Sequence, residues 1–532
     1  MLGQSPFRFW ERYPEFIVLG CFLVLLLWLT TSMPLSYDDA FNANVAKNLA
    51  EGEGFATNYG GPKLLNPRIS TGALFLAPLA VPLRLFGQTT QMPMAYSIAA
   101  NGILLILILW LARKADERLP LAIICSLVML CSQGKNDIVI PGNTLPSPPW
   151  GYFYQFLGNM PGILALVGLG LILTLEELGI KRIIMGCGLA LFAVNCKAMH
   201  LIVFAAMVTS MIGFCAVDYH RKDVSKGRMR FLISISWILA CGFIGAVLQR
   251  ALAWFWMSET AFVQHVQLAN RFFSLTNVTL RLSDIFTVAG FSETIERILK
   301  RAPLAEEYLG GWTTLLPVTL LLILTTVTAL RRGGSRNSRA GLIFLIPALI
   351  HTAWWLTAPG STHIRHFTPV PVLLATAVAF SVIQLSTFSH RTRYFGILLG
   401  LFAIFSSVYN NLGSLSALPS LRAHRRDQIT VSRELNALRA TSPGIILYGA
   451  GWWFPRDQEF LLHRGEFEDI LGQSSTEAGV LVVARNLWPV AKYPSLRKVE
   501  ERCGRLLYER GQYLVLACDS AAAPAPIQGL GR

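Results

Sequence analysis

The chain has 532 residues, of which 53% are hydrophobic and 14% charged, and 46 Lys and Arg against 31 Asp and Glu give a formal net charge of +15. Apolar content this high excludes an ordinary soluble domain and marks an integral membrane protein. The positive charge does not indicate nucleic acid as a partner, because the basic residues lie in short clusters between apolar runs and not on one soluble face.

The first apolar run, 16–34, lacks a small-residue cleavage site and reads as a signal anchor. Directly after it comes SYDDAFNANVAKNLAEGEGF (36–55). Phe41, Val45 and Leu49 recur every four residues and make one apolar stripe. Ser36 can cap the start, and Gly52 and Gly54 end the run. The pattern predicts a short amphipathic helix lying on the membrane, with Asp38 and Asp39 in its first turn. The next segment, 71–87, is apolar but short, carries Arg84 and is interrupted by Pro78 and Pro82; it is read as an interfacial helix.

Further spans are expected at 92–112, 119–132, 158–176, 183–197, 199–217, 231–253, 312–330, 340–357, 367–388 and 394–411, which makes about eleven with the first. If 71–87 does not span, the clusters Arg113/Lys114/Arg118, Lys181/Arg182, Arg221 to Arg230, Arg331/Arg332/Arg336/Arg339 and Arg391/Arg393 all fall on the cytoplasmic side. The acidic stretch, the loop 133–157, the segment 255–311 and everything after Asn411 are then extracytoplasmic, and tryptophans 150, 254, 256, 312, 354 and 355 gather at the outer interface.

The tail, 412–532, is richer in charge, with short strand-like runs at 444–449, 479–484, 505–509 and 513–517 and a helix through Asp427 to Arg439. About 120 residues of this kind can bury a modest core, so a small soluble α/β domain is expected. Cys503 and Cys518 bracket a hairpin turning at Arg510-Gly511 and could pair in an oxidising compartment. The other seven of the nine cysteines lie in apolar segments, where they read as small buried hydrophobes.

Two adjacent carboxylates where a chain leaves the bilayer admit two readings. Acids suit a helix N-terminus through the macrodipole. They also suit a general base with a neighbour that orients it or helps hold a cation. Arg365, with His363 and His366 in the short outer loop STHIRHF (361–367), offers a planar fork for phosphate oxygens, or simply a side chain reaching a lipid headgroup. Lys197 and His200, in NCKAMHL, are ionisable groups between apolar runs, which makes them functional candidates. Asp137 lies in a Pro-, Gly- and aromatic-rich outer loop suited to a lid or sugar platform.

The order YDDAFNANVAKNLAEGEGF, NPRISTGALFLAPLAVPLRLFG, then a span ending in basic residues, resembles the start of the GT-C superfamily of polytopic glycosyltransferases, in its bacterial protein mannosyltransferase and aminoarabinose transferase relatives. The likeness covers the first 112 residues by motif and the later spans by pattern. It implies a mainly α polytopic bundle, residues 1–411 with outer-face juxtamembrane helices at about 36–87, followed by the extracytoplasmic α/β domain 412–532. It implies inverting transfer of a sugar from a polyprenyl-phosphate donor to a glycan, lipid or protein acceptor, in a bacterial inner membrane with the N-terminus cytoplasmic and the site outside.

On that resemblance Asp38 is the base and Asp39 its support, and the pair can serve with or without a divalent cation, Mg or Mn. The second acid is often Glu in the family, so Asp39 is a mild departure. Arg365, Lys197, His366 and His363 would take the donor phosphate, and Asp137, Asn159, His200 and Asn42 would contact substrate. Asn159 stands where relatives often show an acid. The rival readings are a transporter or lipid flippase, and a sensor or scaffold acting through its outer tail. One outer pocket joining the acids to Arg365 would favour the transferase, and a midplane tunnel the transporter.

Overall fold

The computed structural model describes residues 13–33, 37–57, 63–66, 69–87, 91–131, 139–140, 143–144, 150–155, 157–175, 179–219, 225–275, 288–309, 311–331, 336–358, 364–386, 394, 398, 402, 405–406, 409, 415–416, 418–441, 446–450, 479–484, 505–510 and 513–518. The first segments are α1 (Pro14–Thr30), α2 (Tyr37–Glu51), α3 (Ala73–Phe86), α4 (Met92–Ala115) and α5 (Leu119–Leu130). The helices α6 (Asn159–Thr174), α7 (Ile180–Cys196), α8 (His200–Tyr219) and α9 (Ser225–Trp256) follow. Next come α10 (Glu259–Leu275), α11 (Val288–Tyr308), α12 (Trp312–Arg331), α13 (Arg336–Thr357) and α14 (Pro369–Ser386), with a 3-10 turn at Ile364–Phe367 before α14. Ten of the segments expected to span are thus helices with nearly the expected bounds; most of 394–411 lies outside the described residues.

One ion pair fixes the direction of α1 relative to α4. Arg113, at the end of α4, contacts Glu15, at the start of α1, and its guanidinium lies over the Tyr13 ring. Helices α1 and α4 are therefore antiparallel. A crossing by α3 would have put Arg113 at the opposite end from Glu15. The fourteen residues of α3 are also about 21 Å long, short of the roughly 30 Å hydrocarbon core. One side of α3 packs inward through Phe75, Leu76, Leu79 and Leu83, while Val81, Leu85 and Phe86 stay exposed.

Helix α6 is apolar all round, and every residue from Asn159 to Leu173 is buried. That is the expected fate of a helix without a polar face. Glycine makes the packing close: a Cβ on Gly170 would come within 2.6 Å of the Phe344 ring. At the periphery Val24, Ile103, Ile184, Trp237, Phe243 and Leu349 are exposed, the surface a bundle presents to lipid. Among the described residues three helices, Met92–Ala115, Leu232–Trp256 and Ala340–Thr357, are long and apolar enough to cross a membrane by themselves, and there are shorter apolar helices beside these in the sequence.

A second core lies at the end of the bundle where α1 finishes. It joins Phe41, Val45 and Ala46 of α2 to Phe75, Leu76 and Leu79 of α3, and to Val431, Leu435, Leu438 and Val515 of the C-terminal part. The stripe Phe41, Val45 is thus covered by protein. It does not lie on lipid, as its amphipathic pattern alone led one to expect. The C-terminal part contains α15 (Leu418–Thr441), longer than the sequence pattern predicts, and strands β1 (Ile446–Ala450), β2 (Gly479–Ala484), β3 (Arg505–Arg510) and β4 (Tyr513–Cys518). Their order is β1-β2-β4-β3, with β1 and β2 parallel and the other pairs antiparallel. The β3/β4 hairpin has Arg510 opposite Tyr513. Cys503 lies outside the described residues. Arg422 ties α15 to α1, donating to Ser32 Oγ at 2.8 Å with its guanidinium over Trp28.

Candidate functional site

Asp38 is in the first turn of α2, but its side chain lies outside the described residues. Asp39 has no exposed surface. Its Oδ1 accepts the backbone N–H of Leu157 at 2.9 Å, a charge-assisted bond of the strong kind. Asn42, a turn further on, is 2% exposed, and among the described residues its buried Oδ1 has no hydrogen-bond partner. Gln155, two residues before Leu157, is 1% exposed and leaves Oε1 in the same condition. Such oxygens are costly to leave unpaired. Gly52 and Gly54, both at positive φ, then turn the chain out of α2, and Asn48 Nδ2 donates to the Ala56 carbonyl at 2.8 Å to hold the turn.

The segment NPRISTG is the hub. Asn66 Nδ2 donates to Thr57 Oγ1 at 2.8 Å, and Gln249 Nε2 of α9 donates to the Ile69 carbonyl at 3.2 Å. Ser70 Oγ accepts Lys197 Nζ at 3.1 Å. Thr71 Oγ1 donates to the Leu157 carbonyl at 3.2 Å. Gly72 leaves no room for a side chain, since a Cβ there would lie 2.1 Å from the Asn195 carbonyl oxygen. Asn195 Oδ1 in turn accepts the Leu74 N–H at 2.9 Å, satisfying one free donor at the start of α3.

Leu157 is therefore held from both sides, by Asp39 through its N–H and by Thr71 through its carbonyl. Gly158 follows at φ +88° and opens α6, whose first residue is the buried Asn159. Lys197, 8% exposed, follows α7 and reaches back to the residue before Thr71. The acid-bearing helix and Lys197, 158 positions apart in sequence, thus meet within one network of hydrogen bonds.

His200 is fully buried and its Nδ1 donates to the Ala193 carbonyl at 2.8 Å. His366 is in the 3-10 turn Ile364–Phe367, and its carbonyl accepts His351 Nε2 at 2.7 Å. Arg365 is in the same turn; its side chain lies outside the described residues, as do Asp137 and His363. The structure thus brings together Asp39, Asn42, Asn159 and Lys197, with His200 three residues beyond Lys197.

Several residues here carried no sequence signal strong enough to single them out. Ser70, Thr71 and Asn195 are small polar residues, meaningful only through partners far along the chain. Arg301 of α11 is 5% exposed and donates from Nη1 to the carbonyls of Trp355 and Ala358, the latter at 2.8 Å. It caps α13 just before the loop leading to Arg365. Burial, and the neighbouring Arg297 guanidinium, push its pKa below the usual arginine value. A basic residue in an outer amphipathic helix would ordinarily be read as solvated.

No protein-family model and no curated protein matches the sequence. Among solved structures the chain is similar to ArnT from Cupriavidus metallidurans bound to undecaprenyl phosphate. The TM-score is 0.54 at 12% identity, covering 96% of this chain and 100% of that one. It is likewise similar to ArnT from the same organism in the apo state, with TM-score 0.54 and 12% identity over 94% and 97% of the two chains. At this identity the likeness is one of fold alone, the fold of the solved ArnT structures.

Proposed function

We propose that this chain of GT-C fold is a membrane glycosyltransferase that moves a sugar from a polyprenyl-phosphate donor to an acceptor hydroxyl at the outer face. The observation that carries the reading is the chain of contacts from Asp39 through Leu157, Thr71 and Ser70 to Lys197. It ties the helix bearing the acid pair to a buried cation at the same end of the bundle.

Asp38 is the general base, taking the acceptor proton as the oxygen attacks the anomeric carbon from the face opposite the departing phosphate, which inverts that centre. Asp39 is committed to Leu157 and positions its neighbour. Lys197, with Arg365, stabilises charge on the lipid phosphate as it leaves, an interaction that gains strength where water is excluded. Asn42 and Gln155 have buried carbonyl oxygens suited to accepting sugar hydroxyls. Undecaprenyl phosphate, the lipid bound by ArnT, is the first donor lipid to test. The sheet and α15 form an outer domain.

A divalent ion would draw on the carboxylates of Asp38 and Asp39. Among the described residues no set of three His, Cys, Asp or Glu could hold one, so any further ligands would come from substrate phosphate or water. The fit is partial, and the role of such an ion would be to offset phosphate charge.

The test is incubation of the purified full-length protein with a panel of polyprenyl-phosphate sugars and a native membrane extract as acceptor, followed by mass analysis. Release of polyprenyl phosphate coupled to a glycosylated product is the expected result. Vectorial movement of the lipid between leaflets, without glycosidic bond cleavage, would favour a flippase instead.

A further inference from the structure

Helix α11 presents different chemistry on each side. Lys300 pairs with Glu296 and Arg297 with Glu293, each one turn apart. Phe291, Ile295 and Leu299 are exposed, whereas Thr294, Arg301 and Ala305 are buried and form the seam toward α13. Arg297 and Lys300 thus have carboxylate partners on their own helix. Arg301, 5% exposed, turns inward, and among the described residues no carboxylate pairs with it. A buried charge of this kind is costly unless its donors are satisfied.

The end of α13 supplies the acceptors. The helix stops at Thr357. Were it to continue, the N–H of residue 359 would bond the Trp355 carbonyl. That residue is Pro359, which has no N–H. Arg301 takes the missing donor's place: its Nη1 donates to the Trp355 carbonyl and to the Ala358 carbonyl, the latter at 2.8 Å. Carbonyls at a helix C-terminus carry partial negative charge and so offset the cation. The guanidinium also lies 5.8 Å from the centre of the Trp355 ring, within the range of a cation–π contact.

Trp355 then carries the connection to the turn Ile364–Phe367. Its side chain has no exposed surface, and its ring centre is 4.9 Å from that of the equally buried Phe367. His351 Nε2 adds a second fastening, donating to the His366 carbonyl at 2.7 Å. The turn is therefore held to α13 at two points, and Arg301 closes the end of α13. Helix α11 is itself anchored, because Glu306 Oε1 accepts the Trp312 N–H at 3.0 Å at the start of α12.

We infer that Arg301 is a positioning residue that stands in for the N–H Pro359 lacks and, through Trp355 and Phe367, holds the turn Ile364–Phe367 in place. It acts on two backbone carbonyls and a ring, not on the reacting atoms. Helix α11 becomes a strap across the outer end of α13. The consequence for donor binding rests on the role proposed above for that turn in taking the lipid phosphate.

Hydrogen exchange of the full-length protein in nanodiscs, at one pH and temperature, reads the inference directly. In Arg301→Met, exchange across 360–368 should run about tenfold faster than in wild type, with 159–174 of α6 unchanged. Arg301→Lys keeps the charge but not the planar fork and should speed exchange about threefold; it serves if the Met protein does not fold. Phe367→Leu breaks the ring contact from the other side and should also speed exchange across 364–368. Combined with Arg301→Lys it should give less than the product of the single effects, because both act through Trp355. Unchanged exchange across 360–368 in Arg301→Lys, equal acceleration there and across 159–174, or single effects that simply multiply, overturns the inference. Binding tests the reading beneath it: Arg301→Met, or Arg301→Lys in its place, should weaken undecaprenyl phosphate up to about tenfold and leave undecaprenol, a probe without phosphate, unchanged. Local acceleration with undecaprenyl phosphate affinity intact would keep Arg301 as the anchor of the turn and remove the turn from the donor site.

Discussion

The carboxylate of Asp39 accepts the backbone N–H of Leu157 at 2.9 Å, across 118 positions of sequence. This contact divides the labour of the acid pair. A carboxylate with no exposed surface that is bonded to backbone is set up to hold geometry, and the proposed function therefore gives proton transfer to Asp38. Asp39→Ala should lower protein stability by about 1.5–3 kcal/mol, the worth of a hydrogen bond to a charged group. Asp39→Asn keeps an accepting oxygen and should retain at least a tenth of wild-type turnover. Thermal unfolding and turnover of purified variants check both, and an inactive but fully stable Asp39→Asn would make Asp39 a chemical participant.

Lys197 is assigned to the donor phosphate. Lys197→Met should raise KM for the lipid donor roughly 10-fold to 100-fold, as expected for loss of a bond between charged groups, with a smaller effect on kcat. Ser70→Ala removes the hydroxyl to which Lys197 donates and should cost less than tenfold. Steady-state kinetics with varied donor separate these outcomes. A change in kcat alone for Lys197→Met would contradict the assignment.

Gly72 is required by the close approach of Asn195. A Cβ 2.1 Å from a backbone oxygen cannot be relieved by a side-chain rotation, so Gly72→Ala should destabilise by about 3 kcal/mol or more. Gly179→Ala, at a position with open space around it, is the control and should melt near wild type.

The C-terminal helix carries a pH-sensitive group. Burial pushes His424 of α15 down from 6.5 to about 4. The folded state therefore binds its proton less readily than the unfolded chain. The stabilisation is complete above pH 6.5 and is lost as the pH falls toward 4, by at most about 3 kcal/mol. Hydrogen-exchange protection factors across 418–441, corrected for the intrinsic pH dependence of amide exchange, should fall between pH 6.5 and 4.5 in wild type and change less in His424→Gln.

Much of the bundle was legible because the spacing of apolar runs is a direct consequence of bilayer thickness. Basic clusters at alternate loops set α3 aside as interfacial, a reading with which the antiparallel α1 and α4, joined by the Arg113 to Glu15 contact, agree. The Asp38-Asp39 pair and NPRISTG were visible as motifs because charge and small polar residues stand out in an apolar chain. What the motif does was not visible: Ser70, Thr71 and Gly72 act through Lys197, Leu157 and Asn195, and such partners are fixed only by the packing of distant helices. His351 and Arg301 were missed for the same reason. The amphipathic stripe of α2 misled, because a face that suits lipid also suits a protein core. Asp137 and His363, singled out as loop residues, lie outside the described residues.

The central claim is that Asp38 is the base of a glycosyl transfer. The most direct measurement compares wild type with Asp38→Asn, both purified from membranes at equal yield and thermal stability, for formation of glycosylated product from a polyprenyl-phosphate sugar. The account predicts product from wild type and a loss of at least a hundredfold in Asp38→Asn, with undecaprenyl phosphate binding retained. Full turnover in Asp38→Asn would contradict it.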